Sequence, residues 1–550
     1  MSTAVPLSAF VAEREISSKT VRQQNVQAVT ALGKIMASSL GPSGLDKMLV
    51  DNLGEMLVTN DGATILKQLE VQHPAAKVLV DLSDLQDQEV GDGTTSVILL
   101  AAELIRRGQI LIEQGIHPTW ILQAFKAAGK EAVRYVHANL SVPSTGLGEG
   151  VLKSIASTSL SSKLIGGDAP FFADLVCQLV PKVATVDPMT GKTRYPVKAI
   201  SVLKTHGKST KESFVVDGFA LSHIGRAAQG MPMVVKDARI AVLEFPLKQY
   251  RAQMGVQILV TAADELEKIR EMEKNITRDR VKKILDAGAN VILTSEGIDD
   301  MTLKYFVEAG AFAVRRVPGA DLQRIARATG AKPVLTMSSS DDDQESFDPA
   351  WLGRAEQVYE ERVGDWDFVF IQNCAGGRAA SLVLRGANDY LIDELDRCLH
   401  DAICVVAKTL ESGAVCAGGG AVETALSVYL EDYARTMGSR SQAAIAEFAQ
   451  ALQVIPKTLA VNAAKDATDL LAQLKACHYK SQISDEHSDK QLKHFGLDLT
   501  QGTVRDNLAA GVVEPVLTKT KAIRFATEAA VTILRVDDIV RNMPTDTQQN

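Results

Sequence analysis

The segment EVGDGTTSV, Glu89–Val97, decides how this chain of 550 residues is read. Asp92 stands between two glycines, and Thr94, Thr95 and Ser96 open a predicted helix whose first N–H groups have no intrahelical acceptor. Such a helix start accepts phosphate, and Mg²⁺ is commonly held by one or two carboxylates together with phosphate oxygens. The segment therefore reads as an anion cradle with a metal-binding carboxylate beside it. Two more glycine-bearing turns lie upstream. NDGATI, Asn60–Ile65, repeats the design with Asp61 before Gly62, and GPSGLDK, Gly41–Lys47, ends a long helical pattern. One Asp-Gly alone is more often a turn or an N-cap. Three such elements, each at a change of secondary structure, set phosphate chemistry level with that reading.

Around these turns both ends of the chain carry helical periodicity. Val21, Val26, Val29, Leu32, Ile35, Met36 and Leu40 recur at mostly helical spacing before Gly41-Pro42 stops the pattern. Met48–Val50 and Met56–Thr59 predict a β-hairpin, and helices are expected at 75–86, 94–114, 421–436, 441–451 and 457–475. The middle differs, with short buried strands expected at 238–245, 257–261, 291–294, 312–316 and 333–335. Helical ends around a β-rich centre predict an interrupted domain and a multidomain α+β and α/β fold, in which the late helices pack on the early ones. The stretch 264–283 is so charged that only Leu266, Ile269, Met272 and Ile276 form a thin apolar stripe, as in a projecting, solvated helix. Residues 338–345 read as an exposed acidic loop and 542–550 as a fraying tail.

Composition narrows the function. A net charge of −8 supplies no basic field for nucleic acid, and charge interrupts every apolar run before membrane-spanning length. No secretory leader opens the sequence, and the six scattered cysteines form no framework, so a soluble, non-secreted protein with free thiols is expected. A P-loop fails on spacing, because Val202 and Val186 stand where the first glycine would be needed before Gly207-Lys208-Ser209 and Gly191-Lys192-Thr193. No zinc-type Cys/His grouping or nucleophile elbow exists. Gly418–Gly420 precedes a helix and lets backbone approach a ligand, or is a flexible turn. Asp389, Asp393, Glu394, Asp396 and Asp401 share another predicted helix, and composition alone does not choose among them.

The ordered set GPSGLDK, VTNDGATIL, EVGDGTTSV, TSLSSK, LRGANDYLIDELDRCLHDA, AGGGAVE, GLDL and TEAAVTILRVDD closely resembles the group II chaperonins over essentially the whole chain. Within that family it is most similar to subunits of the eukaryotic cytosolic chaperonin, CCT or TRiC. The resemblance implies an equatorial ATPase domain at 1–148 and 404–550. It also implies an intermediate hinge domain at 149–216 and 370–403, and an apical substrate domain at 217–369 with a lid protrusion near 247–283. By resemblance Asp92 binds Mg²⁺, with K⁺ a further candidate, and Gly41, Pro42, Gly93, Thr94, Thr95 and Ser96 surround the phosphates of ATP or ADP. Asp401 and Asp61 are the expected catalytic carboxylates, Lys163 senses the γ-phosphate, and Gly419, Asp498 and Glu514 lie around ribose and adenine. The family's usual proline before the triple glycine is replaced by Ala417, which is expected to loosen that loop without removing a ligand group.

The implied activity is ATP-driven protein folding in a cytoplasmic double ring, with seven paralogous subunits as partners and unfolded actin and tubulin as clients. No nucleic acid or membrane partner is expected. Clients are expected to meet the helix at 321–329, through Gln323, Arg324 and Arg327 beside a few apolar residues. A self-assembling, thermosome-type subunit is the rival within the family, and a non-hydrolysing chaperonin-like binding protein is the rival outside enzymology.

Overall fold

The computed structural model describes residues 18–50, 54, 56–144, 150–163, 166–189, 191–248, 263–337, 345–376, 379–484 and 486–539. Two compact units result, one built from Met1–Cys177 with Arg397–Asn550, the other from Gln178–Asp396. The first unit is therefore discontinuous in the sequence.

In the first unit, the helices Ser18–Ala37, Pro74–Glu89, Thr94–Glu113 and Pro118–Tyr135 share one core with Ala421–Arg435, Ser439–Leu452 and Val516–Arg535. The Thr94–Glu113 helix buries residues on nearly all sides, including Val97, Ile98, Leu100, Ala101, Leu104 and Ile105, as an apolar helix at the centre of a bundle must. Phe125 and Phe448, both fully buried, bring the two halves of the chain together with ring centroids 5.6 Å apart. Each such ring contributes about 1.5–3 kcal/mol by leaving water. The hairpin forms as Lys47–Val50 against Met56–Thr59, antiparallel.

The late helical stretch differs from its expected form. Instead of one helix at 457–475 there are two, Val454–Asn462 and Ala467–Ile483. The break has a local cause, because Ala464 adopts a positive φ of 53° and Asp466 caps the second helix through the N–H groups of Thr468 and Asp469.

The second unit is organised on a six-stranded sheet in the order Phe312–Val314, Val291–Thr294, Val234–Leu243, Gly353–Val363, Trp366–Cys374, Gly218–Leu221. Its first three strands are parallel and the others antiparallel. Strand alternation gives each face its own core. Ile240 and Val242 pack with Leu322 and Ile325 of the Gly319–Thr329 helix, whereas Ala241 and Leu243 pack with Ile284 and Phe306 of the helices Ala263–Asp286 and Asp300–Glu308. The stretch expected as a strand at 333–335 makes only a single bridge, Val334 to Leu243, and Arg316, at φ 58°, ends the preceding strand early. Gln323, Arg324 and Arg327 are exposed on the Gly319–Thr329 helix. On the charged helix Met272 is exposed and Ile276 half-buried. The strand expected at 257–261, most of the protrusion's N-terminal part, most of the acidic loop and the tail lie outside the described residues.

Candidate functional site

Three turns of the first unit converge on adjoining cavities. The smaller, of 70 Å³, is lined by Ser39–Gly41, Asn60–Gly62, Asp92–Ser96, Ser162, Lys163 and Asp401. The larger, of 740 Å³, shares Leu40, Gly41, Asp92, Ser96 and Ser162 with it and extends past Pro42, Gly419, Gly420, Asp498, Glu514 and Lys519. Its size lies in the ordinary range for a site that buries a small organic ligand. Every residue that the resemblance implies for the nucleotide site lines one or both cavities.

The cradle is built from backbone. Gly93 adopts φ 79°, ψ 15° at the N-cap of Thr94–Glu113 and leaves that helix without a side-chain cap, so its first N–H groups stay open to an anion. Gly420 does the same for Ala421–Arg435. Gly419, at φ 68°, has no room for a side chain, since a Cβ would stand 2.3 Å from Asn507 Nδ2 and 3.0 Å from Leu497 O. The strand Ala414–Ala417 leads into these glycines and pairs with Val513–Pro515, setting Cys416 opposite Glu514. Ala417 is buried in that pairing.

Asp61 serves first as an N-cap. Its carboxylate accepts from Ala63 N (3.3 Å), Thr64 N (2.9 Å), Thr64 Oγ1 (2.7 Å) and Thr94 Oγ1 (3.2 Å), tying the two helix starts together. Burial works to raise its pKa, but the ammonium of Lys163 and the bonds from Thr64 and Ala63 leave the carboxyl below its ordinary value. Asp92 accepts from its neighbour Gly93 N at 2.6 Å and from Ser159 Oγ at 3.4 Å, while Gln86 Nε2 donates to the Asp92 carbonyl at 2.9 Å.

Lys163 and Asp401 form a buried pair, Nζ to Oδ2 2.7 Å, with only 9% of each side chain exposed. Both pKa values rise. Burial, with the carboxylates of Asp61 and Asp92, holds Asp401 well above the usual carboxyl range against the pull of Lys163. Burial tends to lower Lys163, but Asp401 and Asp61 outweigh it and keep the ammonium charged. Three carboxylates against one ammonium leave this end of the cavity net negative. Among the described residues no group of three or more potential ligands is arranged to hold a metal by itself. A Mg²⁺ ion, which prefers one carboxylate plus phosphate oxygens and water, fits such a donor set.

Asp498 is engaged already, accepting from Thr500 N (3.0 Å) and Gln501 N (3.3 Å) and pairing with Arg505 at 2.9 Å. Glu514 is held at 2.8 Å by Lys519, which also meets Glu423 at 2.9 Å. Burial raises the Glu514 pKa, Glu423 and Asp92 add to the effect, and Lys519 opposes it. Lys519 and Ser39 escaped the sequence reading, and Glu423 and Asn60 enter it only as members of AGGGAVE and NDGATI, with no role assigned. Asn60 does adjoin the Asp61-Gly62 pair, and its Nδ2 donates to Ser162 O at 2.8 Å, joining the NDGATI turn to the TSLSSK segment. All six cysteines are free, as expected, and His478 is a buried core histidine, its Nε2 3.1 Å from Phe495 O and its pKa pushed down to about 4 by burial.

The model of the TCP-1/cpn60 chaperonin family matches residues 32–544. The chain belongs to that family. It is 54% identical over 532 residues to T-complex protein 1 subunit alpha of Arabidopsis thaliana, with 97% of each chain covered. Its identity to the T-complex protein 1 subunit alpha of Tetrahymena pyriformis is 51% over 539 residues, 98% of each. Thermosome subunit alpha of Thermoplasma acidophilum is 39% identical over 522 residues, 95% of this chain and 92% of that one. The multidomain mixture of helices and sheets described above is the chaperonin fold, and this chaperonin is an ATP-dependent protein-folding ATPase of the group II type. No described helix is long and apolar enough to cross a membrane.

Proposed function

We propose that the chain is the alpha-type subunit of a cytosolic double-ring chaperonin, which uses ATP to enclose unfolded proteins. The observation that carries this is the pair of uncapped helix starts, at Gly93–Thr94 and Gly420–Ala421, bordering adjoining cavities that also hold Asp61, Asp92, Lys163 and Asp401. The higher identity to eukaryotic alpha subunits than to thermosome chains favours the hetero-oligomeric form.

In this reading the phosphates of ATP lie against Gly41, Pro42 and the N–H groups of Gly93–Ser96, and Gly419, Asp498 and Glu514 border the nucleoside. Asp92 holds Mg²⁺, which when bound neutralises phosphate charge, and K⁺ is a second candidate ion. Asp401 takes a proton from the attacking water, a role suited by its raised pKa, while Asp61 orients that water. Lys163 is the natural partner of a γ-phosphate. An ammonium drawn from Asp401 to that phosphate leaves the carboxylate free to act as base, so substrate itself arms the site. Asp498 supports the nucleoside end chiefly by shaping the turn it caps.

The three-domain division belongs to the same proposal, with equatorial 1–148 and 404–550, intermediate 149–216 and 370–403, and apical 217–369. Asp401 and Lys163 then travel with the intermediate domain, coupling hydrolysis to closure. Seven paralogues complete each ring, and folding intermediates such as those of actin and tubulin are the clients.

Native mass spectrometry with particle imaging tests this on the chain purified by a tag from its own cells and on the same chain expressed alone. A closed particle of roughly 950 kDa with eight distinct chains is expected from the cells. Complete rings from this chain alone support the thermosome reading, and monomers in both preparations refute the chamber.

A further inference from the structure

Behind the phosphate cradle lies a third, 30 Å³ cavity lined by Gly93, Ser96, Glu423, Glu514, Thr518 and Lys519 among others. Lys519 is the one cation among the described residues of its lining, and its Nζ bridges two carboxylates carried by different elements, Glu423 and Glu514. Glu423 sits in the first turn of the helix opened by Gly420. Glu514 lies on the strand paired to the approach of the triple glycine, and a Cβ on Gly418 would stand 2.9 Å from Glu514 Oε1. Next to Lys519 on its own helix, Thr518 backs the cradle from the other side, where a Cβ on Gly93 would meet Thr518 Cγ2 at 3.1 Å. One ammonium therefore ties both uncapped helix starts to a common support.

The charge balance there is exposed to the loss of that ammonium. Glu423 and Lys519 are more than nine-tenths buried, and Glu423 Oε2 and Thr518 Oγ1 have no hydrogen-bond partner among the described residues. The titratable or charged groups that act on Glu514 are Lys519, Glu423 and Asp92, and Cys416 contacts its carbonyl through Sγ at 3.4 Å. The Thr94–Glu113 helix contributes only Ser96 and Leu100 to the small cavity.

We propose that Lys519 is a positioning residue for nucleotide binding, holding Glu423 and Glu514 so that the two helix starts keep the spacing and the charge that ATP phosphates require. This rests on the reading that the adjoining cavities bind ATP. Without Lys519, two unbalanced carboxylates stand behind a site for a polyanion, weakening capture of ATP more than the chemistry once ATP is bound. The defect is relieved by acid, because the Glu514 carboxyl, already held above its ordinary value by burial and by the charge of Glu423, then takes up a proton in place of the lost ammonium.

The test is steady-state ATPase of the full-length chain in its assembled complex, with this subunit carrying the sole active site. Wild type, Lys519→Met and Lys519→Met/Glu423→Gln are compared at pH 6 and pH 8. The single variant is expected to raise KM for ATP ~10-fold or more at pH 8, with kcat within ~3-fold, and to recover part of the loss at pH 6. The double variant restores the net charge of the cluster and is expected to return KM to within ~3-fold of wild type, whether or not the single variant folds. A merely structural Lys519 would lower the number of active sites, and with it kcat, at unchanged KM. That result, or a double variant no better than the single, overturns the proposal. Absence of ATPase in the wild-type subunit instead overturns the functional reading beneath it.

Discussion

Replacing Lys163 by Met is the sharpest perturbation of the site, because it removes one charge from a buried pair and leaves its volume nearly unchanged. At 2.7 Å, the Lys163–Asp401 attraction is roughly 6 kcal/mol with an effective dielectric constant of about 20. Desolvation of both groups offsets much of that. The net cost of stranding one partner of a buried pair is about 3–5 kcal/mol. If the first unit, of about 330 residues, unfolds with an entropy near 2.1 cal/mol/K per residue, its transition midpoint falls by roughly 4–7 °C. The pH dependence has a definite sign. Asp401 has a raised folded pKa, so its contribution to stability is greatest below its unfolded pKa and is lost as pH climbs through the folded value. Loss of Lys163 raises that folded value further. The penalty should therefore be small near pH 5 and full near pH 8, and Lys163→Met/Asp401→Asn should recover most of it. Scanning calorimetry of the full-length chain at both pH values measures this. A midpoint change below about 1 °C at pH 8, or a double variant as unstable as the single, would refute a coupled buried pair.

Other changes separate the roles of neighbouring groups. Asp401→Asn should leave ATP binding intact while cutting turnover by ~10²-fold or more, and a wild-type rate from rings in which only this site is active would remove Asp401 from the chemistry. Asp61→Ala should cost about 1–2 kcal/mol at pH 7 through its lost helix cap. Because the folded pKa of Asp61 is lowered, that difference should vanish as acid takes the pH down through it, as denaturant midpoints over an acid series would record. Gly419→Ala forces a Cβ against Asn507 at φ 68°, and should lose more than about 1 kcal/mol together with most ADP affinity, measured by calorimetric titration.

The sequence exposed this site unevenly, for physical reasons. Glycine turns followed by helix starts are local, so the cradles at Gly41, Asp61 and Asp92 could be read from short segments. Long amphipathic helices were equally legible, and the sole helix read whole but found divided, at 457–475, breaks where a capping aspartate and a positive φ act without glycine or proline. Lys163 is different. Its importance comes from a carboxylate 238 positions away, and only the family resemblance singled it out. Lys519 had not even that, because its partners lie on two other elements and no spacing rule connects them. Asp61 shows a further mixture, since the ordinary N-cap and the proposed catalytic group are the same carboxylate.

The divided first unit also sets a timetable for synthesis. Its helices up to Cys177 leave the ribosome long before Val516–Arg535, the helix that packs against Thr94–Glu113 and Pro118–Tyr135. At ~5–20 residues per second, the intervening chain takes roughly 20–70 s to appear. Joining the two parts around the inserted unit then costs an entropy of loop closure equivalent to about 5 kcal/mol. Throughout that interval the nascent chain displays an incomplete apolar core, because the helices that complete it come from the far end of the sequence.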